Sequence, residues 1–128
     1  MPLRKKIHQA KTASPGTGLA TGPAQIIEIN RPNRNRYPTF SEISGLDAIN
    51  PGDILVTPDV YPNMIEHLDV CEGLIIYDET QLTGRGPVVA RELELPAVID
   101  CPELVSQIQP REQLTIDAIE GQIIQYQT

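Results

Sequence analysis

The chain has no tryptophan, a single phenylalanine and only two cysteines in 128 residues. With so few aromatics, a core has to be assembled from Ile, Leu, Val and Ala, and 40% hydrophobic residues are enough to supply one. The length suits one domain. Long apolar runs are also missing. The longest are four or five residues, far short of the roughly 20 needed to cross a bilayer. The opening MPLRKKIHQAK is basic, but no apolar stretch follows it. It therefore does not read as a secretory signal, and the expected location is the cytoplasm. Cys71 and Cys101 stand thirty positions apart, with no second Cys or His at ligand spacing. They read as two reduced thiols rather than a metal site or a redox pair. Neither a metal nor a cofactor is expected.

Charge is unevenly distributed around a net value of −7. Residues 1–36 carry seven of the ten basic residues and one acid, Glu28, whereas residues 37–128 carry sixteen acids and three bases. A positive head on a negative body suits an acidic protein partner better than nucleic acid. The basic stretch RPNRNRYP (31–38) is not interleaved with several aromatics, and the total charge has the wrong sign. A solvated loop accounts for the same residues.

Residues 1–12 are polar and basic and are expected to be a flexible terminus, with the domain proper at 13–128. ASPGTGLATGP (13–23) is dense in glycine and proline and reads as a tight loop. AQIIEIN (24–30) alternates as a strand does, and 31–37 reads as a loop. A regular rhythm follows. DILVT (53–57) is a strand and NMIEHLDV (63–70) a short helix with Met64, Ile65 and Leu68 on one face. GLIIY (73–77) is a strand, 78–86 a loop, and 87–95 a helix whose Pro87 suits a first turn. PAVID (96–100) is a third strand and 102–108 a third helix. Residues 113–119 and 121–126 close as a hairpin around Glu120-Gly121. Strands alternating with helices imply parallel neighbours, and the flanking strands add antiparallel structure.

Four blocks carry a family resemblance. They are ASPGTGLATGPA (13–24), PGDILVTPDVYP (51–62), the strand Gly73–Ile76 with its loop, and LTGRGPVVARELELPAVID (82–100). The closing LTIDAIEGQIIQY fits the same pattern. In this order they resemble the mobile, phosphohistidine-carrying domain of phosphoenolpyruvate-utilising enzymes such as phosphoenolpyruvate synthase and pyruvate phosphate dikinase. The resemblance covers about residues 13 to 126 and implies a free-standing α/β domain. The implied fold is a swivelling β/β/α arrangement, a central, mostly parallel sheet with helices on it and an additional β layer.

The departures fall on the active loop. Against the family's Thr-Ser-His, the threonine is Thr83, the serine position holds Gly84, and the phosphate-carrying histidine position holds Arg85. The alanines that follow are Gly86 and Pro87, whereas Ala90, Arg91, Glu92, Leu93 and Pro96 keep the scaffold pattern. A neutral imidazole, with a pKa of about 6.5, has a lone pair that can attack phosphorus. A guanidinium has donors and no usable lone pair. His8 and His67 lie on other segments, so no catalytic residue is assigned. Arg85 at a helix start, between two glycines, is placed instead to hold a phosphate or a carboxylate. Thr83, Gly84, Arg85 and Gly86 form the candidate anion site, and a solvated vestigial loop is the alternative. Arg91 and Glu92 read as local ion-pair or packing residues.

What the resemblance implies is a pseudoenzyme serving as a binding or regulatory module. Its partners would be a phosphoenolpyruvate-utilising or ATP-grasp-like protein, or a phosphorylated small molecule. Two further readings stay open. One is a subunit that lends a phosphate-clamping loop in trans, and the other is a pure protein–protein interaction module.

Overall fold

Ten strands and one α-helix are present in the computed structural model, which describes residues 4–30 and 35–127. The strands are β1 (Arg4–Gln9), β2 (Lys11–Ser14), β3 (Leu19–Ile26), β4 (Glu28–Ile29), β5 (Ile43–Ser44), β6 (Ile54–Thr57), β7 (Gly73–Ile76), β8 (Ala97–Ile99), β9 (Gln113–Asp117) and β10 (Gln122–Gln127). The helix, α1, is Arg85–Glu92. Eight strands form a mixed sheet in the order β1-β10-β9-β3-β6-β7-β8-β2, and β4 pairs with β5 separately. β3, β6, β7 and β8 run parallel. β9, β10, β1 and β2 are attached antiparallel.

β6, β7 and β8 are buried on both faces, as their unbroken apolar sequences require. Ile54, Val56, Ile75 and Val98 pack against Leu114, Ile116 and Ile123 of the antiparallel strands. Leu55, Leu74, Ile76 and Ile99 project the other way, against Ala90 of α1 and against Met64 and Leu68. One sheet thus supplies two cores, and α1 packs on one of them beside β2 and β8. No described helix is long and apolar enough to cross a membrane.

Several expectations need correction. Residues 4–14, expected to begin as a flexible tail, are strands that pair at both ends of the sheet: β1 with β10 and β2 with β8. The backbone supplies these bonds and no apolar periodicity is needed, since Lys5, Lys6 and Ile7 all stay exposed. Part of the predicted loop 13–23 is β3, whose inward residues Ala20, Gly22 and Ala24 are small. The predicted helix 63–70 is a 3-10 run, Pro62–Val70. A 3-10 helix rises about 2.0 Å per residue against about 1.5 Å for an α-helix, so it spans more of the β6–β7 connection with the same residues. The predicted helix 102–108 contracts to a 3-10 turn, Leu104–Gln107.

The predicted helix 87–95 starts two residues earlier and ends three residues earlier. Its end is a Schellman arrangement: the Leu95 amide donates to Ala90 O at 2.9 Å and the Glu94 amide to Arg91 O at 3.2 Å. Glu94 takes the left-handed position there, with φ 54°. Glycine usually marks that position, and its absence hid the stop.

A candidate anion site at the start of the helix

The TGRG segment lies where β7 hands over to α1. Arg85 is the first residue of α1 and is half-buried. Its Nη2 donates to the Tyr37 hydroxyl at 2.6 Å and its Nη1 to the Val60 carbonyl at 3.4 Å. Its Cζ stands 4.8 Å from the centroid of the Tyr37 ring. Tyr37 in turn packs against Tyr61, with ring centroids 5.9 Å apart. Gly86 is buried, and a methyl added there would lie 2.4 Å from Ile76 Cδ1 and 3.1 Å from Val60 Cγ2. Glycine is what lets the helix start this close to the end of β7. Thr83 is exposed, and Gly84 caps the helix without a side-chain hydrogen bond. The amides of the first turn therefore have no side-chain acceptor from the capping residue. The four predicted residues are together, at the positive end of the helix dipole.

Arg91, expected in a local ion pair or in packing, binds two backbone carbonyls instead. Its Nη1 donates to Ala13 O at 3.1 Å and its Nη2 to Leu82 O at 2.9 Å, so it braces the loop against β2. The ion-paired arginines are elsewhere: Arg36 meets Glu42 at 2.7 Å and Arg111 meets Asp53 at 2.7 Å. Among the described residues, Arg85 and Arg91 have only uncharged partners. Glu42 is pulled down to about 2 by the Arg36 hydrogen bond and the Thr39 amide. Of the basic stretch 31–36, Asn35 and Arg36 are described, and Arg31 and Arg34 lie outside the described residues.

Beside Arg85 opens a cleft of about 360 Å³ lined by Ile29, Pro58, Asp59, Tyr61, Tyr77, Asp78 and Glu79. It sits at the carboxyl ends of β6 and β7, the usual place for ligands on parallel strands. Burial, and then the charges of Asp78 and Glu28, push the Tyr77 hydroxyl above its ordinary range. Three carboxylates, those of Asp59, Asp78 and Glu79, line this cleft. The histidines lie on other elements than the loop, β1 and the 3-10 run Pro62–Val70. His8 is on β1, 2.8 Å from Gln125 Oε1, and His67 packs against Phe40 with ring centroids 6.0 Å apart. The groups that sequence reasoning missed are Tyr37 and Glu79. Tyr37 is 48 positions from Arg85 and only the folded chain brings it there.

The sequence profile described as "PEP-utilising enzyme, mobile domain" matches residues 49–121. The chain belongs to that family. A probable phosphoenolpyruvate synthase of Methanothermobacter thermautotrophicus is 34% identical over 109 residues, covering 85% of this chain. The phosphoenolpyruvate synthase of Escherichia coli is 27% identical over 106 residues, or 83% of the chain. The chain spans 14% and 12% of those two proteins. The fold is also similar to that of Thermococcus kodakaraensis aconitase X in its holo-form, with a TM-score of 0.63 at 13% identity. That match covers 96% of this chain and 99% of the other.

Proposed function

We propose that this member of the family is a binding or regulatory module. It keeps the swivelling β/β/α scaffold, carries no phosphoryl group, and recognises an anionic group through Arg85. The observation that carries this reading is the guanidinium at the first position of α1, where the family pattern has its histidine. It is half-buried, is held by Tyr37 and Val60, and has no carboxylate partner among the described residues. Such a group is oriented and charged and keeps unused donors for a carboxylate or a phosphate. It offers no lone pair to phosphorus, and His8 and His67 lie on other elements, β1 and the 3-10 run Pro62–Val70. Two free, buried thiols fit a cytoplasmic setting.

The surroundings favour a macromolecular source for that anion. Tyr37, Leu82 and Val88 are 55%, 40% and 36% exposed beside Arg85 and make an apolar rim. A partner of the phosphoenolpyruvate-utilising type, presenting a carboxylate or phosphate, would cover the rim while Arg85 takes the charge. A loop lent in trans to a phosphotransfer site is the second form of this reading, and the same rim supports it.

The test is chemical. After incubation with phosphoenolpyruvate and a phosphoenolpyruvate synthase, intact-protein mass spectrometry should show no phosphoramidate on the parent chain. It should show none on Arg85→His either, because that variant regains the imidazole without the rest of the loop. A phosphoryl adduct on His8 or His67 would overturn the reading.

A further inference from the structure

The eight-stranded sheet ends in an open, basic edge. β1 stands first in the strand order and, among the described residues, pairs with β10 alone. The Ala10 amide donates to Gly121 O at 2.9 Å, continuing the register that sets Gln9 opposite Gln122. Backbone groups in an antiparallel ladder face the partner at every second residue. The even-numbered residues of β1 therefore bond to β10, and the amides and carbonyls of Lys5, Ile7 and Gln9 point to the open side. No backbone partner meets them there among the described residues. Side chains alternate between the two faces of the strand. Lys6 donates to Gln107 Oε1, and His8 Nε2 lies 2.8 Å from Gln125 Oε1, so both share one face, and Lys5, Ile7 and Gln9 share the other. Lys5, Lys6, Ile7 and Gln9 are all exposed, Ile7 at 53%. The edge at the far end of the sheet, β2, is only four residues long, and its Ala13 and Ser14 are buried.

We propose that the open edge of β1 docks an extended acidic segment of a partner protein, which adds to the sheet as a further strand. Charge decides the occupant. Residues 37–128 carry sixteen acids against three bases, whereas β1 and the start of β2 carry Lys5, Lys6 and Lys11 with no acid. An acidic chain is repelled by most of this surface and attracted to β1. A second copy is the wrong occupant, because edge pairing of two β1 strands crowds four like charges, Lys5 and Lys6 of each, into one short ladder. The outward amides and carbonyls of Lys5, Ile7 and Gln9 supply main-chain bonds, and the side chains set the choice of sequence: acids opposite Lys5 and Lys6 and an aliphatic residue opposite Ile7. The edge lies on a different element from Arg85, and neither site needs the other.

The test uses the full chain and two end-capped synthetic peptides, TVEEVT and its basic counterpart TVKKVT, at millimolar concentration. Amide hydrogen exchange is followed residue by residue by NMR. In the chain alone, the amides of Lys6 and His8 should exchange slowly and those of Lys5, Ile7 and Gln9 fast. TVEEVT should slow these three outward amides and TVKKVT should not. The double substitution Lys5→Glu with Lys6→Glu should weaken TVEEVT by about five- to tenfold and bring on binding of TVKKVT, as reversal of two cross-strand charge pairs requires. Both side chains are exposed, so the melting point should stay within a few degrees of the parent's. Outward amides that stay fast with TVEEVT would overturn the proposal, even where the lysine side-chain signals shift, since charge would then act without strand addition. Binding that survives the charge reversal, or outward amides that become slow in the chain alone as its concentration rises, would overturn it as well; the second result would make the edge a contact between copies.

Discussion

Arg111→Ala is the substitution whose consequence the structure constrains most closely. Asp53, in the turn that opens β6, is 1% exposed at its side chain. Its carboxylate receives Arg111 Nη1 at 2.7 Å, Arg111 Nη2 at 2.9 Å and the Asn50 amide at 2.9 Å. Arg111 itself is 43% exposed and also reaches Gln25 Oε1 at 3.2 Å. Removing one partner of a fully buried pair costs about 3–5 kcal/mol, and the open outer face of Arg111 reduces this to roughly 2–3 kcal/mol. Asp53→Asn leaves the guanidinium in water and should cost only about 1 kcal/mol. Alanine keeps the left-handed backbone of residue 111, φ 66°, so that strain is common to parent and variant. At about 3–5 °C per kcal/mol for a domain of this size, calorimetry should show a loss near 10 °C for Arg111→Ala and near 4 °C for Asp53→Asn. The pH dependence separates them further. Burial raises the Asp53 carboxyl, but the Arg111 hydrogen bonds, the Asn50 amide and the Arg111 charge together hold it below its ordinary 3.8. A depressed folded-state value gives stability that is present above about pH 4 and is lost as pH falls through the folded value. Without Arg111, burial dominates and the carboxyl rises, so protonation relieves that variant first. The gap between Arg111→Ala and the parent should narrow between pH 7 and about 4.5. Equal losses for the two variants at pH 7, or a gap that stays constant on acidification, would refute the reasoning.

Two other outcomes follow from single residues. Glu94→Gly should raise stability by about 0.5–1 kcal/mol in calorimetry, because glycine suits the left-handed position that ends α1. Cys71 and Cys101 are buried, and burial pushes both thiols up to about 12, so a thiol reagent at pH 8 should label them only at the rate of global unfolding.

The parallel strands β6, β7 and β8 were legible because ILVT, GLII and AVI are buried on both faces and leave no periodicity to misread. The start of α1 was nearly legible from Pro87, and its end was not, because glutamate stands where glycine usually signals the stop. β1 escaped notice because its exposed Lys5, Lys6 and Ile7 carry no inward pattern and their order comes from backbone pairing with β10. At the site, TGRG was visible as a loop, and the position of Arg85 at a helix start followed from the pattern around it. Tyr37 and Val60 were out of reach, since their contacts with Arg85 join segments separated by 48 and 25 positions. Glu79 was visible as a residue, but only the folded loop shows that its carboxylate accepts the Thr80 and Gln81 amides.

The central claim is that Arg85 binds an anion, and it is tested most directly by melting the parent chain and Arg85→Ala across a series of carboxylates and phosphorylated metabolites. An anion at a hundredfold excess over its dissociation constant should stabilise the parent by about 2.7 kcal/mol, or roughly 10 °C. Arg85→Ala should show no such gain. Its ligand-free melting point should lie within a few degrees of the parent's, because the contact with half-exposed Tyr37 contributes only about 1 kcal/mol. Arg85→Lys should recover part of the gain, with the charge kept and the planar fork lost. No shift with any anion in the parent, or the same shift in Arg85→Ala, would contradict the account.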